Sequence, residues 1–231
     1  MSDVISGLKR DFDISFKDVH LLNEAFTHGT YLHENLHDKG RDYQRLEFLG
    51  DSVMQLMVAD FLYRDFSNWN EGQLTEARIS MVQSKSFSHF ARLAHFDEYI
   101  LLSKSSKKQK LNDNDNLLED IFESFIAALY IDQGIPAVRK FLDKTLFKAF
   151  NEGYFNQFVN YKSKLQELVQ QVGKVEIKYV VTNQDSINEE EPYYEVDVLI
   201  NGIKNGSGSG RSIKEAEKIA AQNAYKELSD L

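Results

Sequence analysis

Four acidic side chains are spaced for chemistry. Glu47 and Asp51 are four residues apart, and Asp120 and Glu123 are three apart, so each pair shares one face if its segment is helical. Around the first pair, Leu46, Phe48, Leu49, Val53, Leu56, Val58, Phe61 and Leu62 point in nearly every direction. Ile121, Phe122, Phe125, Ile126, Leu129 and Ile131 do the same around the second. A helix apolar all round is a buried helix, so the four acids belong among core residues. An ionised carboxylate left unpaired there costs several kcal/mol. Three outcomes relieve it: pairing with a cation such as Arg45 or Arg78, uptake of protons, or coordination of a metal ion. The last would offer oxygen donors only, which select hard ions such as Mg²⁺ or Mn²⁺. Such ions suit phosphoryl chemistry.

The elements that must position these acids can be read from periodicity. Residues 2–150 carry long stretches of period 3.6 punctuated by Gly, Asn and Asp clusters, and no strand alternation competes. One long helix is predicted over 41–66, one or two over 71–96, another over 117–132 and a further one over 135–150, with Pro136 suited to its first turn. At 151–160 the polar stretch NEGYFNQFVN breaks the pattern and predicts a linker. Beyond it Leu165, Leu168, Val169 and Val172 mark an amphipathic helix ended by Gly173. The period then changes to two: Val175, Ile177, Tyr179 and Val181 alternate, as do Tyr194, Val196, Val198 and Ile200, and Asn201-Gly202 signals a hairpin turn. Ser212 and Glu215 predict a capping box for a final helix. The expected fold is an all-α domain at 1–150, a linker at 151–160 and a small α+β domain of order αβββα at 161–231.

Composition narrows the function. The chain has 231 residues, a formal charge of −9, 42% hydrophobic residues and no cysteine. Cores can therefore form, while disulfides, thiolate zinc sites, iron–sulfur clusters and catalytic thiols are excluded. The start MSDVISGLKRDF carries two acids and lacks the apolar core of a secretory signal, and the longest apolar run, 125–131, is far short of a membrane span. A cytoplasmic protein without membrane attachment is expected. The acidic total argues mildly against nucleic acid as a partner, so local charge must decide. His33 and His37 are four apart, yet no third nitrogen or sulfur ligand lies nearby, and zinc is not expected.

The string RLEFLGDSVM at 45–54, with LEDIFESFIAALYID at 118–132 and AFTHGTY at 25–31, resembles the signature of the ribonuclease III family of double-stranded RNA endonucleases, in its bacterial two-domain form. The resemblance implies that Glu47, Asp51, Asp120 and Glu123 hold a catalytic Mg²⁺, for which Mn²⁺ would substitute, and that Asp51 and Glu123 are catalytic. It also implies homodimerisation through the N-terminal domain, with the signature helix at the interface, 5′ phosphate and 3′ hydroxyl ends, and short 3′ overhangs. Ribosomal RNA precursor processing and messenger RNA processing or decay are the expected roles. Gln44 stands where many relatives carry another acid.

The tail is net acidic, with nine Lys and Arg against twelve Asp and Glu from residue 160 onward, but its cations are placed unevenly. Gly206, Gly208 and Gly210 run into Arg211, Ser212 and Lys214, with Lys218 one turn on. Cations at a helix start oppose its dipole, an arrangement easiest to understand if phosphates dock there and the glycines let backbone approach. A solvated helix start is the plainer account. YKSKLQELVQ at 161–170 and GSGSGRSIKEAEKIAA at 206–221 resemble a double-stranded RNA-binding domain. That resemblance implies minor-groove contacts from Ser163, Gln166 and Glu167 and phosphate contacts from Arg211, Lys214 and Lys218. Ile213 replaces a usual lysine, and Glu189, Glu190 and Glu191 occupy the loop between the first strands. A second basic run, Lys104, Lys107, Lys108 and Lys110, is expected in a loop before the Asp120 helix. The rival readings are a non-cleaving double-stranded RNA-binding regulator and a hydrolase of small phosphorylated molecules.

Overall fold

The computed structural model describes residues 2–155, 161–171, 173, 175–185 and 193–229. The chain divides into two compact units, Met1–Gln157 and Phe158–Leu231. Parts of the expected linker, Val172, and the acids Glu189, Glu190 and Glu191 lie outside the described residues.

The first unit is helical: α1 (Ser2–Gly7) with a π-helical extension Leu8–Phe12, α2 (Val19–Ala25), α3 (Gly29–Glu34), α4 (Gln44–Asp65), α5 (Glu71–Met81), α6 (Ser84–Leu93), α7 (Lys104–Lys108), α8 (Asp115–Gln133), α9 (Ile135–Lys144) and α10 (Leu146–Asn151). Helix starts follow local chemistry. Asn114 caps α8 by accepting from the backbone N–H groups of Asn116 and Leu117, and Asn70 forms a reciprocal capping box with Gln73 at α5, each such cap contributing about 1 kcal/mol. Near the other end of α8, the Asp132 carboxylate accepts from the backbone of Lys17 and Asp18 at 2.9 and 2.8 Å and so anchors the start of α2.

Helix α8 runs through the centre. Leu118, Ile121, Phe122, Phe125, Ile126, Ala127, Ala128 and Leu129 are all fully buried, and aromatic rings surround it, with Phe96 and Phe125 centroids 4.7 Å apart and Phe125 and Phe141 5.0 Å apart. Burying each large apolar side chain contributes about 1.5–3 kcal/mol, so this helix is the scaffold for whatever it carries. Helix α4 packs against it, and its Leu46, Val53, Met54, Met57, Val58, Phe61 and Leu62 are buried, Phe61 stacking on Phe147 of α10 with centroids 4.1 Å apart. The expectation of all-round burial fails on the opposite side of α4, where Phe48, Leu56 and Tyr63 are 80%, 59% and 75% exposed.

Over 71–96 the second of the two expected alternatives holds, with α5 and α6 separated because Gln83 is extended. Two other elements differ from expectation. The segment 135–150 breaks at Thr145, whose φ and ψ of −122° and −96° are not helical. Within the basic run expected as a loop, Lys104, Lys107 and Lys108 lie in the single turn of α7, capped by Ser103 accepting from the Ser106 N–H, and Lys110 follows it.

The second unit comprises α11 (Tyr161–Gln170), β1 (Ile177–Asp185), β2 (Tyr193–Ile200), β3 (Ile203–Gly210) and α12 (Ile213–Ser229). The strands form an antiparallel sheet in the order β1-β2-β3, with Tyr179 opposite Val198 and Val196 opposite Gly208. Asn201 and Gly202 both adopt left-handed backbone in the β2–β3 turn, as a tight hairpin of this type requires. Leu165, Val169, Val196, Val198, Ala216, Ala220, Ala221 and Ala224 make the core.

The glycines of β3 have a different role from the one expected. A Cβ on Gly208 would lie 2.2 Å from the Ala220 nitrogen and 2.4 Å from the Ala216 oxygen. This glycine therefore lets the alanine face of α12 lie directly on the sheet. At the start of α12, Ser212 Oγ accepts from the Glu215 N–H at 3.2 Å, whereas the Glu215 carboxylate accepts from the Arg211 N–H at 2.9 Å. The expected box is thus displaced by one residue on its second arm.

Candidate active site

Gly50 brings the four acids together. A Cβ built there would lie 1.9 Å from the backbone oxygen of Glu123 and 2.4 Å from its carbonyl carbon. Helices α4 and α8 therefore touch backbone to backbone at this point. Gly50 is flanked by Glu47, one turn back, and Asp51, the next residue, while Glu123 and Asp120 occupy successive turns of α8. The approach thus forces both pairs to one end of a shared helix interface.

Their environments differ. Glu123 is only 8% exposed, Glu47 and Asp120 are half-buried, and Asp51 is exposed. Burial pushes the Glu123 carboxyl up to about 8, and the charges of Asp51, Glu119, Glu47 and Asp120 add to the rise. Glu47 is raised by burial first, then by Asp120, Glu119 and Asp42. Asp120 is raised by burial, against which the Tyr43 hydroxyl and His28 act. Among the described residues no lysine or arginine acts on these three acids, so guanidinium pairing does not account for their crowding.

Asp51 Oδ1 accepts from Gln55 Nε2 at 3.4 Å, and Asp120 Oδ2 accepts from the Tyr43 hydroxyl at 2.8 Å. Among the described residues, no three His, Asp or Glu side chains are drawn in tightly enough to close a ligand cage as they stand. The donor set nonetheless fits a hard divalent cation. It is all oxygen, its charges repel one another, and it is carried on two helices fixed by core packing.

Three further groups act at this site beside the two acid pairs. Glu119 is a fifth acid acting on both Glu47 and Glu123, and its carboxylate accepts a hydrogen bond from the Ser84 hydroxyl. Its place four residues before Glu123 was a usable signal. Tyr43 immediately precedes α4, and His28 lies inside the string 25–31, yet neither residue type announces a role. Gln44 is exposed, with its backbone N–H directed at Asp42.

The raised Glu123 has a stability consequence. The folded state holds a proton that the unfolded chain releases near the ordinary value of 4.5. Its stabilising contribution is present below about pH 4.5 and is lost as pH climbs towards about 8. In chelator, the urea midpoint is therefore expected to fall between about pH 5.5 and about pH 8 by the equivalent of roughly 1 kcal/mol or more, given about 1.4 kcal/mol per unit of displacement. Glu123→Gln should flatten that fall. An equal fall in both proteins would show that Glu123 is not the group responsible.

In the second unit, Ser163, Gln166 and Glu167 are exposed on one face of α11, and Arg211 and Lys214 are exposed at the start of α12. Lys218 is half-buried, and desolvation lowers its pKa, so it is a less open cation than its spacing from Lys214 implied. An ion pair from Lys162 to Glu217 ties α11 to α12, and the Lys162 ammonium lies 4.4 Å from the centre of the Tyr179 ring.

A family model described as ribonuclease-III-like matches residues 18–150, and one described as a double-stranded RNA binding motif matches residues 161–228. The chain is 57% identical over 228 residues to a ribonuclease 3 from Oenococcus oeni, covering 99% of each chain. It is 48% identical to one from Leuconostoc mesenteroides, covering 97% of this chain and 95% of the relative. Among solved structures, a nuclease domain of ribonuclease III from Campylobacter jejuni, described for flexibility in a region involved in dimer formation, superposes with a TM-score of 0.57 at 29% identity. It covers 64% of this chain and 99% of that domain.

Proposed function

The chain belongs to the ribonuclease III family of double-stranded RNA endonucleases, and from that premise we propose a Mg²⁺-dependent reaction in which Glu47, Asp51, Asp120 and Glu123 hold the cation. The observation that carries this reading is the backbone contact at Gly50, which crowds acids of α4 and α8 with no lysine or arginine among the described residues acting on Glu47, Asp120 or Glu123. When bound, the cation supplies an activated water and offsets charge at the phosphorus and the leaving 3′ oxygen. The protein's own part is to hold the donors. Asp51 and Glu123 are the catalytic carboxylates of this reading, Glu123 being fixed by burial and Asp51 reaching outward from the next turn of α4. No nucleophilic side chain is needed.

We assign residues 1–150 to catalysis and dimerisation, 151–160 to a linker and 161–231 to RNA binding. Ser163, Gln166 and Glu167 then face a minor groove, and Arg211, Lys214 and Lys218 face phosphates, a readout of A-form shape with little base specificity. The exposed stripe of Phe48, Leu56 and Tyr63 on α4 supports a homodimer, because a stripe of this kind is ordinarily covered by a partner. Two sites in such a dimer would cut opposite strands, leaving 5′ phosphate and 3′ hydroxyl ends with short 3′ overhangs. Ribosomal RNA precursors and messenger RNAs are the proposed substrates, in the cytoplasm. Among the described residues, no helix is long and apolar enough to cross a membrane.

Incubating the protein with a long RNA duplex, with and without Mg²⁺, tests this directly. Cleavage only with Mg²⁺, yielding those termini, is expected. Binding of duplex without any cleavage in Mg²⁺ or Mn²⁺ would identify a regulator instead.

A further inference from the structure

We propose that Tyr43 is a positioning residue for the carboxylate site, fixing Asp120 through its hydroxyl while His28 and Thr30 hold its ring in place. The proposal rests on the reading of Asp120 as a cation ligand. Tyr43 is 7% exposed, and its hydroxyl donates to Asp120 Oδ2 at 2.8 Å across 77 residues of sequence. Its backbone serves the other helix: the Tyr43 carbonyl accepts from the N–H groups of Leu46 and Glu47, each at 2.9 Å. One residue therefore sets both the first turn of α4, which carries Glu47, and the side chain of Asp120 on α8.

Tyr43 is itself held from two directions. Its N–H donates to the Thr27 carbonyl at 2.9 Å, and its ring stacks on His28 with centroids 5.8 Å apart and planes at 30°. The His28 Nδ1 accepts from the Thr30 N–H at 3.1 Å, which requires a lone pair there and places the proton of the neutral ring on Nε2. His28 donates its backbone N–H to the Leu101 carbonyl at 3.0 Å. The Thr30 hydroxyl lies 2.9 Å from His28 Nδ1 and also accepts from the Ser106 hydroxyl at 3.3 Å. With Oδ2 engaged, among the described residues Asp120 Oδ1 accepts no hydrogen bond, so the carboxylate offers one pinned oxygen and one open one. Partners that orient a ligand in this way typically account for 10–100-fold in metal affinity.

The test is calorimetric titration of Mn²⁺ into the full-length protein for the wild type, Tyr43→Phe, Thr30→Val and Asp120→Asn. Tyr43→Phe keeps the ring stack and removes only the tie. It is expected to bind Mn²⁺ about 10–100-fold more weakly, with a smaller loss in Thr30→Val and the largest in Asp120→Asn. In duplex cleavage, Tyr43→Phe should raise the Mg²⁺ concentration needed for half-maximal rate, with the rate recovering at high Mg²⁺. A purely structural defect would not produce that split. Wild-type Mn²⁺ affinity in Tyr43→Phe alongside weakened Asp120→Asn overturns the positioning role and leaves Asp120 as a ligand. Unchanged affinity in both overturns the ligand reading with it. Should Tyr43→Phe not fold, wild-type affinity in Thr30→Val overturns the proposal and a severalfold loss there supports it.

Discussion

Gly50→Ala is expected to destabilise the protein by about 3 kcal/mol or more and to remove duplex cleavage. The added methyl would meet the Glu123 carbonyl at 1.9 and 2.4 Å, and both atoms are backbone at the centre of α8, so no side chain can swing aside. The helices must separate. Insertion into a packed interior ordinarily costs about 1–3 kcal/mol, and here the insertion displaces the main chain of the most buried helix, which places it in the upper range of single substitutions. The separation also moves Glu47 and Asp51 away from Asp120 and Glu123. Urea denaturation checks the first effect and duplex cleavage the second. Gly72→Ala is the control, because a Cβ there meets only the Asn70 Oδ1 at 3.4 Å. Within α5 it should be neutral or stabilise by up to about 1 kcal/mol. Wild-type stability in Gly50→Ala would contradict the close approach.

Glu123→Gln is expected to act in opposite directions on activity and stability. The side chain keeps its size, so the buried position stays filled, but an ionisable carboxyl crowded by four other acids is gone. Cleavage should fall by roughly a thousandfold or more, since removal of a ligand forfeits several kcal/mol of transition-state stabilisation and each ~1.4 kcal/mol is tenfold in rate. Duplex binding should persist, because Glu123 belongs to the nuclease domain and makes no groove contact in this reading. In chelator near pH 8 the variant should unfold at a higher temperature than the wild type, the pattern of a site whose function is held at the expense of stability. A variant that cuts at the wild-type rate removes Glu123 from the active site. A variant less stable than the wild type in chelator shows that its charge is compensated by something other than the cation.

The parts of this arrangement that were legible in the sequence share one property: the signal lies within a few residues. The apolar residues enclosing Glu47 and Asp51 located α4, those enclosing Asp120 and Glu123 located α8, and the change of period after Gly173 with Asn201-Gly202 located the sheet. What was missed depends on long separations. Tyr43 meets Asp120 only because α4 and α8 cross, and the Ser84 hydroxyl reaches Glu119 from a different helix. The cations beside the tail glycines suggest phosphates. Only the packing of α12 on the sheet puts Gly208 against Ala216 and Ala220. Helix α7 has no signature in the sequence because KSSKK has no apolar period, its single turn depending on the Ser103 cap. The apolar pattern of α4 does not by itself tell its exposed side from its core side: Phe48, Leu56 and Tyr63 look like core residues, and only the resemblance, which puts this helix at an interface, anticipates that nothing of the described chain covers them.

Acids crowded by the α4–α8 contact are, on this reading, native ligands for a divalent ion. Thermal unfolding with and without Mg²⁺ or Mn²⁺, in the wild type and in Glu123→Gln, reads out that binding. A ligand that binds only the folded state stabilises by about 2.7 kcal/mol at a hundredfold excess over its Kd, equivalent to a midpoint rise of roughly 5 °C or more for a protein of this size. That rise is expected in the wild type, and its loss in Glu123→Gln. A wild-type midpoint indifferent to both ions would overturn the assignment of these acids as ligands.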